Sequence, residues 1–485
     1  MSRAQRLSNF AEATVIFEND RRSKTMATIT ERLGNLPLGK FHYRLLMLMG
    51  SGIAFEALDT GLIAFVLAKM IGAWNLTPAQ IGFISSAGLL GMAFGAVLSG
   101  TLADRIGRKA IFVATLAIYA VGTGLCGLAW NYESLLVFRF LVGAGVGGQP
   151  PVANALMGEY APVKHRGKML VLQNSSWAFG WLLAAALAYL VIPKYGWQLA
   201  FYIGALPALV VVYVWRILPE SAMYLVSKGR HMEAHVLVSK IEQELGVPVG
   251  EPPKQAELVS ARTQKFSFLD LWSPVYLRRT VCLWVLWFGM VYSYYGIFTW
   301  LPSLLVKSGH TLIRSFEFLL YMTMAQIPGY FTAAYFVDKI GRKATMGSML
   351  AVCAISAYMF GNAKSAEEIV LWGCIMSFCN LGAWGITHAY SAEQYPTHAR
   401  AAGVGWAAAC GRFGGIIAPI AVGSLMTGSD QYGIVFTMFT IVLAIIAMDI
   451  IFLGKETMNK SLDELTENRA PTMDLAAAKS SGLNR

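Results

Sequence analysis

Of the 485 residues, 56% are hydrophobic and only 14% charged, and mean hydropathy is +0.51. Soluble proteins carry about 25% charged residues, so that class is excluded. The formal net charge of +11 would suit a nucleic-acid binder, but the basic residues lie where they set membrane topology, and nucleic acid is excluded as a partner.

Residues 1–40 mix acids with bases and hold no apolar core of a cleavable signal. They read as a cytoplasmic N-terminal extension, disordered over 1–25, with Met26 as an alternative start. Twelve apolar blocks follow, near 43–67, 80–102, 110–130, 134–158, 168–191, 197–217, 279–305, 317–337, 344–361, 367–391, 401–426 and 433–453. Each is about the length that crosses a hydrocarbon core of roughly 30 Å. The first six define an N-terminal bundle over 41–217. The polar stretch 218–278 is a cytoplasmic linker in which "LPESAMYLVSKGRHMEAHVLVSKIEQEL" has the spacing of amphipathic surface helices. Residues 246–265 read as flexible. The last six blocks define a C-terminal bundle over 279–454, and 455–485 is a polar cytoplasmic tail.

With the N-terminus cytoplasmic, 32 of the 39 Lys and Arg fall in cytoplasmic segments. Lys69, Lys194, Lys307, Arg314 and Lys364 face outside, and Arg139 and Arg412 lie within spans. That asymmetry predicts an integral, multi-pass protein of the plasma (inner) membrane with both termini cytoplasmic. All six cysteines fall inside apolar blocks without CxxC spacing, so neither disulfides nor a metal site is expected. No nucleophile–base set, metal cluster or phosphate loop is present, which argues against an enzyme, and no cofactor is expected.

An internal repeat organises the chain. "GTLADRIGRK" at 100–109 answers "AYFVDKIGRK" at 334–343, putting Asp104 and Asp338 234 residues apart. Glu159 and Glu393, and Arg166 and Arg400, have the same offset. The expected fold class is therefore an all-α membrane protein, twelve transmembrane helices in two pseudo-symmetric six-helix bundles. Such repeats mark transporters, with the substrate site near the midplane between the halves.

Charges inside spans are costly and point to function. Measured from Arg44, Asp59 lies about 22 Å into the membrane, and Arg139 lies about 9 Å below the other surface, so the two are nearly level and can neutralise each other. Two readings of Asp59 stand: a proton-coupling acid that alternates between pairing and protonation, or a fixed structural ion pair. Glu56, one turn earlier, either relays protons, binds substrate or faces a polar neighbour. Arg412 lies about 18 Å into its span, with no acid of the last six blocks at its depth. It either holds an anionic carboxylate bidentately or bonds carbonyls of a broken helix. The seventh block carries Trp284, Trp287, Phe288, Tyr292, Tyr294, Tyr295, Phe298 and Trp300. Trp284, Phe288 and Tyr295 share a face at helical spacing and, with Tyr294, suit stacking on a flat ring, whereas Trp300 suits an interfacial anchor. Asn380, Trp384 and His388, and likewise Gln173, Trp177 and Trp181, form polar and aromatic stripes fit to line a cavity. His388 is either a proton carrier or a hydrogen-bonded packing residue, and Gln149 is a further cavity donor. Gly143, Gly145, Gly147 and Gly148 suit close helix contacts.

"GTLADRIGRK", "RFLVGAGVGG" at 139–148, "LPES" at 218–221 and "GKETMNKSLDEL" at 454–465 resemble the motifs of the major facilitator superfamily, in its sugar-porter and SV2-like branches. "RLGNLPLGKFHYRLLMLMGSG", "VIPKYGWQLAF", "YYGIFTWLPSLL" and "GVGWAAACGRFGGIIAP" are most similar to bacterial niacin (nicotinate) transporters and related carriers of small organic acids. Where many of that group have Glu-Leu-Pro and Leu-Glu-Ser, this chain has Gln149-Pro150-Pro151 and Gln173-Asn174-Ser175. The resemblance implies that Asp59 is the proton-site acid paired with Arg139, and that the position of Arg412 selects substrate charge. It also implies that Asp104, Arg105, Arg108, Glu159, Arg166, Glu220, Asp338, Arg342, Glu393, Arg400 and Glu456 latch the cytoplasmic side as gate residues. The expected activity is import of a small aromatic or heterocyclic monocarboxylate, nicotinate first, by proton-coupled alternating access, with substrate, protons and membrane lipids as partners and a monomer as functional unit. A sugar or polyol–proton symporter and a non-transporting sensor with a carrier fold are the alternatives.

Overall fold

A computed structural model describes residues 28–251, 268–395, 397–426 and 432–458. The expected extension as far as residue 27, most of the flexible linker and the tail beyond 458 lie outside the described residues. What is described is helical: α1 Lys40–Trp74, α2 Pro78–Ile106, α3 Arg108–Gly127, α4 Tyr132–Tyr160, α5 Arg166–Leu190, α6 Trp197–Ile217, α7 Leu277–Lys307, α8 Leu312–Ile340, α9 Arg342–Gly361, α10 Ala366–Glu393, α11 Thr397–Leu425 and α12 Tyr432–Phe452. Eleven helices among the described residues are long and apolar enough to cross a membrane. The long helix missing from that set is α8, whose middle carries Gln326, Pro328 and Tyr330.

The end of the molecule that carries "GTLADRIGRK" and its repeat is called the motif end here. At the other end helices start from side-chain caps: Thr77 for α2, Asn131 for α4, Thr311 for α8 and Ser365 for α10 each accept from a backbone N–H of the first turn. At the motif end α3 and α9 start after Gly107 and Gly341, at φ 115° and 93°, and neither has a cap of its own. Their exposed N–H groups are served from far along the chain. Glu220 accepts from the N–H groups of Arg108 and Lys109 at 2.9 and 3.1 Å, and Glu456 from those of Arg342 and Lys343 at 3.0 and 2.9 Å. A carboxylate at a helix N-terminus meets both the free donors and the positive end of the dipole.

Within the first half α2 packs on α4 and α1 on α5; in the second, α8 on α10 and α7 on α11. The α2–α4 crossing needs glycine: a Cβ on Gly143 would strike the carbonyl of Gly88, and one on Gly147 that of Met92. The halves meet through α2 with α11, α1 with α7 and α5 with α8. Away from the motif end that junction is tight. Ser86 Oγ donates to the Ile416 carbonyl at 2.7 Å, and the Phe65 and Phe316 rings meet edge to face at 5.1 Å. Trp300, expected as an interfacial anchor, is instead fully buried, its Nε1–H donating to the Pro419 carbonyl at 3.1 Å. Its indole bonds α7 to α11 there because an N–H pointing into the protein needs a partner.

Outside the spans, the short helices Ile29–Gly34 and His231–Glu244 lie together at the motif end. Arg32 is buried there, donating to Glu242 at 2.9 and 2.7 Å, to Ser239 at 3.2 Å and to His235 Nδ1 at 2.8 Å. The Gly250 N–H completes the Glu242 carboxylate.

Candidate functional site

Asp59 and Arg139, brought level by the rise of α1 and α4, form a buried ion pair: Arg139 Nη1 donates to Asp59 Oδ2 at 2.8 Å. Thr123 Oγ1 of α3 donates to the other oxygen at 3.3 Å. The pair lines a cavity with Thr60, Ser85, Tyr295 and Thr299, and Arg139 keeps its Nε without a hydrogen-bond partner. The arrangement joins three helices of the first half around one negative charge and opens it towards α7.

Glu56 points elsewhere. It is 4% exposed, and its Oε2 has no hydrogen-bond partner. Tyr295 of α7 borders the neighbouring cavity that Asp59 and Arg139 line. Gly415, one turn beyond Arg412, lies against Tyr295 as well, since a Cβ there would come to 3.4 Å from that ring. Arg412 is half-buried and makes no hydrogen bond among the described residues. Carbonyls of a broken helix do not hold it, since α11 is continuous through 397–425.

The aromatic site forms around Tyr294. Trp177 Nε1 donates to its hydroxyl at 2.8 Å, and the rings of Trp181, Phe298 and Trp384 stand 6.0, 5.0 and 5.7 Å away. Trp287 extends the cluster, 5.9 Å from Trp384 and 5.1 Å from His388, with its Nε1 donating to Ser391 at 2.9 Å. Trp384 and His388 themselves stand 5.8 Å apart. Trp181, Trp287 and Phe298 join this cluster from beyond the expected binding set; the signal for Trp181 is its place in the α5 stripe, and for Trp287 and Phe298 their place among the seventh-block aromatics.

Several expectations fail on local packing. Trp284 sits 5.2 Å from Trp272 and 6.4 Å from Phe268, against the short helix Phe268–Trp272 at the motif end. It lies 11 residues, about 16 Å along the helix, from Tyr295. Phe288 stacks on Tyr292 at 5.9 Å, and Tyr292 faces Phe439 of α12, so neither ring joins Tyr294. A shared helical face extends along the helix and past the depth of any one site. Asn380 turns to Cys353 of α9, 3.9 Å away, while Asn174 bonds the Leu170 carbonyl of its own helix. Gln173 donates to Asn154 at 2.8 Å. Gln149 is buried with both amide atoms unpartnered, its Oε1 aimed at Gly52, one turn before Glu56.

The gate motifs form two matching clusters, each inside its own half. Arg108 pairs with Glu159, which also accepts from Ser221 Oγ at 2.6 Å. Arg342 pairs with Glu393 at 3.1 Å, and Thr457 Oγ1 donates to Glu393 at 2.5 Å. The Tyr160 hydroxyl donates to the Glu220 carbonyl. These ion pairs tie helices within a half. Asp104 and Arg105 are exposed, and Arg166 is half-buried with Nε unpartnered. The side chains of Asp338 and Arg400 lie outside the described residues.

The family model for the sugar (and other) transporter matches residues 41–468. The chain belongs to that family, within the major facilitator superfamily. It is 51% identical over 437 residues to the niacin transporter NiaP of Acinetobacter baylyi, covering 90% of this chain and 99% of that one. It is 40% identical over 422 residues to the putative niacin/nicotinamide transporter NiaP of Bacillus subtilis, covering 87% and 98%. In fold it is similar to the inward-open xylose transporter XylE from E. coli, with a TM-score of 0.70, 18% identity and coverage of 87% and 99%.

Proposed function

We propose that this protein imports nicotinate, or a near monocarboxylate with a flat ring, together with protons and by alternating access. It would do so as a monomer of twelve spans in two six-helix bundles, in the inner membrane, with α8 as the remaining span. The motif end and both termini would be cytoplasmic, as the placement of Lys and Arg supports. Relatives named as niacin transporters cover nearly all of the chain, which supports the substrate. The observation that carries the reading is Arg412: a half-buried guanidinium without a hydrogen bond among the described residues, one turn from Gly415, which lies against Tyr295, the ring in contact with Tyr294. A planar fork of donors matches a carboxylate, and the indole and phenol rings offer faces and polar edges to a heteroaromatic ring.

Asp59, paired with Arg139 beside the cavity, would carry the proton. Contacts between the halves at the end away from the motifs support an inward-facing state, in which the motif clusters await their partners across the gap. A sugar or polyol substrate is the second reading, favoured by the buried acid–arginine pair and the likeness to XylE; a sensor without flux is the third.

The test is uptake of labelled nicotinate into proteoliposomes with and without an inward proton gradient, for wild type and Asp59→Asn. Gradient-driven accumulation in wild type, with exchange alone surviving in the variant, is expected. Accumulation by the variant would make Asp59 structural. Displacement by neutral sugars rather than aromatic acids would favour the second reading, and binding without counterflow the third.

A further inference from the structure

We propose that Trp181 is the residue by which the site distinguishes a heteroaromatic ring from a carbocyclic one: its indole N–H donates to a ring nitrogen of the ligand. This rests on reading the aromatic cluster around Tyr294 as the place where the substrate ring sits.

The observation behind it is a buried donor without an acceptor. Trp181 is 1% exposed, and its Nε1 has no hydrogen-bond partner among the described residues. An indole N–H can only donate, and leaving one unpaired in the interior is destabilising. Its neighbours in the cluster are satisfied: Trp177 Nε1 donates to the Tyr294 hydroxyl at 2.8 Å, and Trp287 Nε1 to Ser391 at 2.9 Å. Trp181 cannot turn to find a partner. Its indole meets Tyr294 and Phe298 edge to face, at 6.0 and 5.9 Å, and rests on Gly61 of α1, where a Cβ would come to 3.0 Å from the ring. The donor is fixed before any ligand arrives, so binding pays little to orient it.

Exposure shows the way in. Trp181 is buried, Trp177 and Trp384 are half-buried, and His388, one turn beyond Trp384, is exposed. The cluster therefore opens towards the motif end, and a flat ring entering there meets Trp177 and Trp384 before Trp181.

The missing group defines the ligand. A pyridine-type nitrogen carries a lone pair in the plane of its ring and accepts. The C–H in the same place on a benzene ring cannot, and it leaves the indole N–H buried and unpaired. A site built around one hydrogen bond rejects the analogue that lacks it far more strongly than an apolar pocket rejects a change of one methylene. A protonated ring nitrogen, itself a donor, is refused on the same ground.

The experiment is binding of two matched pairs, nicotinate with benzoate and nicotinamide with benzamide. It uses the purified full-length protein at neutral pH, as wild type, Trp181→Phe and Trp177→Phe. In wild type the pyridine member of each pair binds about ten- to a hundredfold tighter. Trp181→Phe keeps a ring but loses the N–H, and the two members of each pair become equal. Any loss common to both members reads packing and cancels in the ratio. Trp177→Phe, which removes an N–H that already has its acceptor, keeps the preference. Equal affinities in wild type, or a preference that survives in Trp181→Phe, overturn the proposal. Should Trp181→Phe not fold, wild type with isotope-labelled indole nitrogens decides by NMR. One indole N–H signal then moves with nicotinate and not with benzoate, and identical responses to the two overturn the proposal. The amide pair separates this proposal from the carboxylate reading of Arg412. A pyridine preference among the amides without binding of either acid removes Arg412 from the site and leaves Trp181. Binding of both acids without preference removes Trp181 and leaves Arg412, and binding of none of the four removes both.

Discussion

Asp59 and Glu56 lie one helical turn apart on α1, and one is partnered where the other is not. Asp59 takes Arg139 at 2.8 Å and Thr123 at 3.3 Å, both from its own half, whereas Glu56 is 4% exposed and its Oε2 has no hydrogen-bond partner. A carboxylate tied to one half keeps its surroundings as the halves move. The two acids thus have different surroundings, set by which helices pack against successive turns.

Removing one partner of the Asp59–Arg139 pair leaves a buried charge alone, which costs about 3–5 kcal/mol. Asp59→Ala should therefore lower the unfolding temperature markedly, while Asp59→Ala combined with Arg139→Met recovers most of it. Thermal unfolding in detergent checks this. Equal destabilisation in the double variant would mean that packing, not charge, dominates.

Arg412→Lys keeps the charge but loses the planar fork. With a hydrogen bond to a charged group contributing about 1.5–3 kcal/mol, KM for nicotinate should rise about ten- to a hundredfold, and Arg412→Ala should abolish uptake. Initial-rate kinetics in proteoliposomes decide it; an unchanged KM in Arg412→Ala would remove this residue from the site.

At Tyr294, ring and hydroxyl can be separated. Tyr294→Phe removes the Trp177 bond across the halves and keeps the ring cluster, so stability should fall by about 1 kcal/mol with KM nearly unchanged. Tyr294→Ala removes the ring beside Trp181, Phe298 and Trp384, and KM should rise tenfold or more. Measuring KM and unfolding temperature on both variants separates the roles.

The Arg32 cluster should loosen in acid. Burial and then the Arg32 charge hold the His235 imidazole below its ordinary value of 6.5, and since Arg32 only donates, His235 Nδ1 must accept, unprotonated. Burial opposes ionisation of Glu242, but Arg32 and the Gly250 N–H outweigh it and hold the carboxyl below its ordinary value of 4.5. Both groups bind protons more readily once released, so the contact weakens as pH falls below about 6.5 for His235 and further below 4.5 for Glu242. Hydrogen exchange over Ile29–Gly34 should show protection at pH 8 that declines by pH 5.5, with His235→Gln, which keeps an acceptor, declining less. Glu242→Gln should lose protection at every pH, a cost of about 3 kcal/mol.

Much of the architecture was legible because membranes impose it. The twelve apolar blocks fall on the long helices, and the depth estimate that levelled Asp59 with Arg139 rests on a fixed rise per residue, so it found a real contact. Glu220 and Glu456, which the resemblance implied only as gate residues, prove to do the same work at α3 and α9. The aromatic site was less legible. Trp284 and Phe288 share the face of Tyr295 but face Trp272 and Tyr292, while Trp181 and Trp287 reach the site from positions that spacing within α7 does not rank.

The sequence by itself determined the spans, their duplication, and the presence of two acids and two arginines in apolar surroundings, because hydropathy and charge placement are local along the chain. Only the tertiary structure decided that Asp59 belongs to Arg139, that Tyr294 bonds Trp177 across the halves, and that Trp300 is buried in a helix junction. Those outcomes depend on which helices touch and at what height. That is set by glycine-lined crossings and by packing between segments hundreds of residues apart, and periodicity within one helix carries no information about it.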